Sequence, residues 1–262
     1  CTAPPEDPLL NKRLRQICFD EEKNPVTAVS ALGRYVIAAY GTKLILHRFE
    51  DEELTGVAFQ DVTIYVTSIS TVKNLIMITD ISKSVTFIGF QEKPATLQIL
   101  GKDYHDMKTY SGEMLINGNK LGLCCADSDN NIHILEYAPY HILSSSGQRL
   151  LKRAEIHTGQ HITKMIRFPT HTPGRFGIIS GSSEGGLQMV IPINERTFKR
   201  LHGIYSRLVK ALEPPAGLNP RAFRRVILPT NCATSTPLTG TLGPRIFLDG
   251  DMIFEYLGLG NE

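Results

Sequence analysis

Tryptophan is absent from the 262 residues, which rules out the Trp-Asp dipeptide that marks ordinary WD repeats. Long apolar runs are missing too. The longest are strand-sized, so the sequence offers no helical membrane span. Charge of one sign is scarce: 28 Lys and Arg against 26 Asp and Glu leave a net charge of +2, which implies no nucleic-acid partner without local clustering. There is no Walker loop, no G-x-G-x-x-G after a strand, no G-x-S-x-G elbow and no H-E-x-x-H. Lacking any paired acid/base or nucleophile arrangement, the chain reads as non-enzymatic and without a cofactor. The 5 cysteines are Cys1, Cys18, Cys124, Cys125 and Cys232. An odd count with an adjacent pair inside an apolar run fits free thiols in a reducing compartment, cytoplasm or nucleus.

What is present is a repeated hairpin. In Asn74–Gln91 an apolar run is followed by a polar turn around Asp80–Ser84. A second run follows, in which Val85, Phe87 and Gly89 alternate with Thr86, Ile88 and Phe90. β-branched and aromatic residues on both sides of a short polar turn predict two buried antiparallel strands. The unit recurs at Tyr35–Tyr40 with Leu44–Phe49, Leu121–Ala126 with Ile132–Tyr137, and Phe176–Ser180 with Leu187–Ile193. The spacing, roughly 40 to 55 residues, is a propeller-blade period. Between hairpins lie candidates for further strands: Val26–Val29, Leu54–Gln60, Thr63–Ser70, Leu97–Leu100, Met114–Ile116, Leu150–Ile156 and Ile162–Phe168. Leu14–Phe19 is read as an outer strand. The expected fold is therefore all-β, a partial β-propeller of about four blades from a larger ring. A β-sandwich or barrel is the competing architecture.

After Asn194 the period changes. Phe198, Leu201, Ile204, Tyr205, Leu208 and Leu212 recur at helical spacing, predicting an amphipathic helix over Glu195–Leu212, ended by Pro214-Pro215. A second short helix is expected over Leu218–Arg225, with Asn219 as cap and Pro220 at its first position. A loop is expected over Cys232–Gly243, and a last helical piece over Met252–Leu257 capped by Asp249. The division is thus residues 1–194, partial propeller, and 195–262, a small α-helical C-terminal region. Position 1 is Cys and Cys1–Pro8 is Pro-rich, so the chain reads as a piece of a longer protein.

Three clusters invite a chemical reading. Asp127–Asn131 resembles the start of a calcium loop but has Ile132 and Ala138 where that loop needs Gly and Glu, so a hairpin turn is preferred. His157 and His161 stand four apart without completing ligands; they read as turn histidines bonding backbone, and no metal is expected. Lys199, Arg200, Arg207 and Lys210 line the polar side of the long helix, with Arg221, Arg224 and Arg225 close behind. This cluster is the candidate for RNA or an acidic partner; the alternative is a solvated helix face. Tyr205 and Phe223 are read as core.

Pro25–Ala28, Gly41–Leu46, Glu53–Phe59, Val72–Asn74 with Asp80–Ser84, Leu150–His161 and Ala216–Arg224 together resemble the C-terminal region of a three-propeller family. Its members include the largest subunit of the cleavage and polyadenylation specificity factor, a damage-binding ubiquitin-ligase adaptor and a large splicing-factor subunit. The Ala216–Arg224 run and the Arg153-Ala154…His157-x-Gly159-x-His161 run are similar to the first of these. The resemblance implies most of a third, seven-bladed propeller followed by the start of a helical domain, entered at Leu248–Met252. It implies a nuclear scaffold for pre-mRNA 3′-end cleavage and polyadenylation. Such a scaffold holds a WD-repeat subunit and a zinc-finger subunit that read AAUAAA. Direct pre-mRNA binding through the basic cluster, or an adaptor of ubiquitin-ligase or splicing type, are the alternatives. Val226–Arg245 departs from the family pattern, and the chain stops soon after Tyr256.

Overall fold

A computed structural model of the chain describes residues 16–21, 23–212, 217–226 and 247–259. Its strands fall into consecutive antiparallel groups. The first is β1 (Val26–Leu32), β2 (Tyr35–Tyr40), β3 (Lys43–Glu50) and β4 (Glu53–Asp61), and the second is β5 (Val66–Val72), β6 (Leu75–Asp80), β7 (Ser84–Gln91) and β8 (Thr96–Lys102). The third is β9 (Thr109–Asn117), β10 (Lys120–Asp127), β11 (Asn131–Glu136) and β12 (Leu151–His157). The fourth is β13 (Ile162–Pro169), β14 (Arg175–Ser182) and β15 (Leu187–Val190). The first three predicted hairpins are the middle pairs of their groups, and the fourth is the last pair, β14 with β15. Groups three and four also join at a corner, where Arg175 and Phe176 pair with Asn117 and Ile116.

The first strands of successive groups lie side by side, β1 against β5, β5 against β9 and β9 against β13. This is the blade-to-blade relation of a propeller. Strand alternation explains how the blades stack, since neighbouring residues point to opposite faces. In the second blade Ile76, Ile78 and Ile88 join one core with Ile37, Leu44 and Leu46 of the first blade. Met77, Val85 and Phe87 instead join a second core with Met114, Leu123 and Leu135 of the third. In β10, Leu123 and Cys125 face that second core, while Cys124 and Ala126 face a third core with Ile162, Met165 and Ile178. Both faces of these middle strands are buried, which is why they read as apolar runs rather than simple alternation. Burial of each large side chain stabilises by about 1.5–3 kcal/mol.

First strands carry edges whose backbone groups need partners. Ser and Thr supply them across blades. Thr71 donates to Ala31 O at 2.7 Å, Thr67 to Thr109 O at 2.9 Å, and Met165 N donates to Ser111 Oγ at 2.9 Å. Gly112 N donates to Ser68 Oγ at 3.0 Å. Arg167 of the fourth blade reaches Thr71 O of the second at 3.2 Å and pairs with Glu113 of the third at 3.4 Å.

The structure differs from expectation at two strands. Gln16–Phe19 forms no strand, and Leu14 lies outside the described residues; Ile17 and Phe19 are exposed, so the segment buries no apolar face that would hold it to a sheet. The fourth blade has three strands among the described residues: β15 stops at Val190, and Pro192, which lacks an N–H, leads into the helix.

Candidate partner-binding face of the helical tail

Helix α1 spans Glu195–Ala211. Its N-cap, Asn194, makes no side-chain cap bond, because its Oδ1 accepts from Arg175 of β14. At 100° per residue, Tyr205, Leu208, Ile204 and Leu212 share one face. That face packs with Met252 and Ile253 of a second helix, α2 (Gly250–Gly258), and with Leu248 just before it. Asp249 caps α2 through Asp251 N at 3.2 Å. Between the helices lies a 3-10 turn, Pro220–Arg224, capped by Asn219 Oδ1 accepting from Arg221 N at 2.9 Å. The predicted caps, Asn219 and Asp249, are both in place. Pro214-Pro215 and Cys232–Gly243 lie outside the described residues.

The turn is clamped on two sides by arginines. Arg221 donates to Ser206 Oγ at 3.1 Å and sits 5.0 Å from the Tyr205 ring centroid, a cation–π contact. Arg224 Nε donates to Asp249 Oδ2 at 2.6 Å and its Nη2 lies 3.4 Å from Asp251. Burial, the largest influence, lowers the Arg224 pKa, but the Asp249 bond and charge outweigh it and raise it. Burial and the Asp249 charge push the Tyr205 hydroxyl up. The tail also meets the blades: Arg224 Nη1 is 3.5 Å from Thr158 O, and Phe247 packs on the third core.

The seven predicted basic residues therefore divide. Arg224 is internal to the tail. Phe223, read as core, is exposed, because the short turn points Arg224 inward and its neighbour out. Lys199 pairs with Glu195 at 2.6 Å, and that bond holds the exposed Glu195 carboxyl below its ordinary range. Arg200, Arg207 and Lys210 are exposed and make no ion pair among the described residues. They fall with Lys199 in a sector of about 100° on the helix face opposite Tyr205. Arg196 completes this stripe; its spacing of three and four residues to Lys199 and Arg200 is the signal that finds it. Arg225 is exposed on the turn.

The other clusters have structural roles. Asp127–Asn131 forms the β10–β11 turn: Asp127 Oδ1 accepts from Asp129 N at 2.9 Å and Asn131 N at 2.8 Å, and Asn130 has φ 62°. His157 bonds the Asn131 side chain at 2.9 Å rather than backbone, and His161 packs edge-on against Tyr110 at 4.7 Å. Among the described residues no group of three His, Cys, Asp or Glu is placed to hold a metal. Cys124 and Cys125 are fully buried, and burial pushes the Cys124 thiol up to about 12. His133, buried, donates from Nε2 to Asp127 Oδ2 at 2.8 Å, and its Nδ1 faces Glu155 at 3.6 Å, an ion-pair distance.

A model of the CPSF A subunit region matches residues 5–258. The chain belongs to the CPSF A subunit family. Among its relatives, a probable cleavage and polyadenylation specificity factor subunit 1 from rice is 40% identical over 218 residues, covering 80% of this chain and 15% of the relative. Cleavage and polyadenylation specificity factor subunit 1 from Arabidopsis thaliana is 37% identical over 242 residues, 90% of this chain and 16% of the relative. The Drosophila melanogaster protein of that name is 30% identical over 269 residues, 98% and 18%. The chain thus spans less than a fifth of the length of these CPSF A subunit relatives. Its blades and clamped tail are one region of that family.

Proposed function

We propose that the chain is part of a nuclear, non-catalytic scaffold of the pre-mRNA cleavage and polyadenylation machinery. In this reading residues 1–194 belong to a larger seven-bladed ring and 195–262 to a helical region. The scaffold serves a WD-repeat subunit and a zinc-finger subunit that recognise AAUAAA. The observation that carries this reading is the identity to proteins named as subunit 1 of the cleavage and polyadenylation specificity factor over 80–98% of the chain. The larger ring is supported by the far face of the fourth blade. Ile166, Ile179 and Met189 are cross-strand partners there and all are exposed. A rigid β-ring suits a scaffold because preformed surfaces lose little entropy on binding. The test is depletion of the full-length protein followed by add-back. Restored cleavage and polyadenylation in extract, with the other subunits recovered on the protein, supports the reading; processing unchanged by depletion overturns it.

A second reading, direct RNA contact, is favoured by the stripe of Arg196, Arg200, Arg207 and Lys210. Its binding would weaken steeply with salt, and reversing Arg200, Arg207 and Lys210 to Glu in the full-length protein would abolish it. RNA affinity unchanged by those reversals overturns it.

A further inference from the structure

The connection from β11 to β12 is the long one among the blade hairpins, and the blade fold does not require its length. Residues 137–148 contain no Asp, Glu, Lys or Arg. At its tip Tyr140 is fully exposed, Ile142 is 96% exposed and Leu143 is half-exposed. Three adjacent large apolar groups held in water are unusual where single ones are not.

The loop is nonetheless a built structure. Its 3-10 turn, Ile142–Ser144, begins at His141. Ser144 is completely buried; its hydroxyl donates to His141 O at 2.6 Å and accepts from Gly147 N at 3.2 Å. Arg149 N donates to Ser144 O at 2.9 Å. The returning limb is stitched to β8, with Lys102 N donating to Gln148 O at 2.8 Å and Leu150 N to Lys102 O at 2.9 Å. Leu150 is buried in the second core, and Tyr137 packs against Phe87. Ser145, Ser146 and Gly147 have φ of 48°, 59° and 90°, a left-handed run that non-glycine residues resist and that accumulates at functional segments. Thus the tip is displayed on a fixed base.

We propose that this loop is an anchor by which the propeller seats Tyr140 and Ile142 in an apolar pocket of another protein of its assembly. This rests on the scaffold reading above. The occupant follows from charge and shape. The one Arg of the connection, Arg149, stands at its base where the chain returns to β8, and the tip itself has no Lys or Arg with which to hold phosphates. The tip is convex, so its complement is a pocket, and a rigid aromatic–aliphatic pair loses little conformational entropy on insertion.

The test uses the full-length protein in its purified assembly, with benzoylphenylalanine in place of Tyr140. Irradiation is expected to give an adduct with one other subunit, mapped to an apolar pocket. That subunit is then titrated against full-length protein carrying Tyr140→Ser and Ile142→Ser. Affinity is expected to fall on the order of 30-fold or more, with an unchanged salt slope. Because both side chains are exposed, the variant keeps the parent's melting temperature, and a lowered one overturns the surface role. Adducts confined to the same polypeptide, to RNA or to lipid, or an affinity within threefold of the parent, overturn the anchor. If the unaltered protein assembles with no other subunit, the scaffold reading fails and the anchor fails with it. Assembly that proceeds equally with the double variant overturns the anchor alone.

Discussion

Arg224 Nε meets Asp249 Oδ2 at 2.6 Å across 25 residues of sequence. The carboxylate caps α2 while the guanidinium rises from the 3-10 turn, so a single pair orders two elements. Replacing Arg224 by Ala removes the fork and leaves Asp249 part-buried without its cation. The loss is expected to be about 1–3 kcal/mol, seen as faster hydrogen exchange of α2 and α1 amides with little change in the second-blade strands. Exchange of α2 unchanged in Arg224→Ala would dismiss the clamp.

Gly112 sets the approach of the second and third blades. A Cβ there would lie 2.5 Å from Thr79 Cγ2 and 2.8 Å from Met77 Cε. Gly112→Val is expected to destabilise by roughly 1–3 kcal/mol through overpacking, measured by urea unfolding. The compensating Gly112→Ala with Thr79→Ser should recover part of that loss, and failure of any loss to appear in Gly112→Val would contradict the packing.

Ser111 Oγ accepts from Met165 N, a bond between the first strands of blades three and four. Ser111→Ala strands a buried N–H at a cost of about 1–3 kcal/mol. Amide exchange at Met165 should accelerate more than at Ile178, which lies in the same core. Equal acceleration at both sites would mean a general loosening instead.

His133 gives a pH signature. Burial, the largest influence, lowers its pKa, but bonding to Asp127 and Glu155 raises it above 6.5, while Lys152 opposes them. A raised folded value means that the stabilisation is fully present below 6.5 and is lost as pH rises through the folded value. Asp127 is shifted the other way: burial raises it, but His133 and Asn131 bring it below 3.8. Its contribution is present above 3.8 and disappears as pH falls through the folded value. The stability difference between parent and His133→Gln should therefore shrink as pH rises from 6.5 into the alkaline range. A difference constant across that range would show that His133 is neutral in the fold.

The hairpins were legible because both local signals agreed. β-branched runs such as Leu75–Asp80 and Ser84–Gln91 flank turns rich in Asp, Asn, Ser and Gly, and both faces of each run find apolar neighbours. The caps Asn219 and Asp249 were legible for a similar reason, since capping depends on residues a few positions away. Long-range pairing was not. Nothing local distinguishes Arg224, turned toward Asp249, from Arg225, turned to water, and helical spacing alone placed Phe223 inside. Gln16–Phe19 has strand composition, but Ile17 and Phe19 stay exposed and no ladder forms. The inter-blade bonds of Thr67, Thr71 and Ser111 depend on chain segments about 40 to 55 residues apart, a separation set by the repeat period, so their Ser and Thr looked like ordinary polar positions. Arg196 is legible in the helix spacing, three and four residues before Lys199 and Arg200.

The middle strands of the second and third blades divide their side chains between two cores: in β6, Ile76 and Ile78 turn one way and Met77 the other. Neither of these two blades therefore owns its own interior. Pulling or cleaving one out strips packing from both neighbours, so mechanical or proteolytic failure should spread from blade to blade instead of releasing intact leaflets.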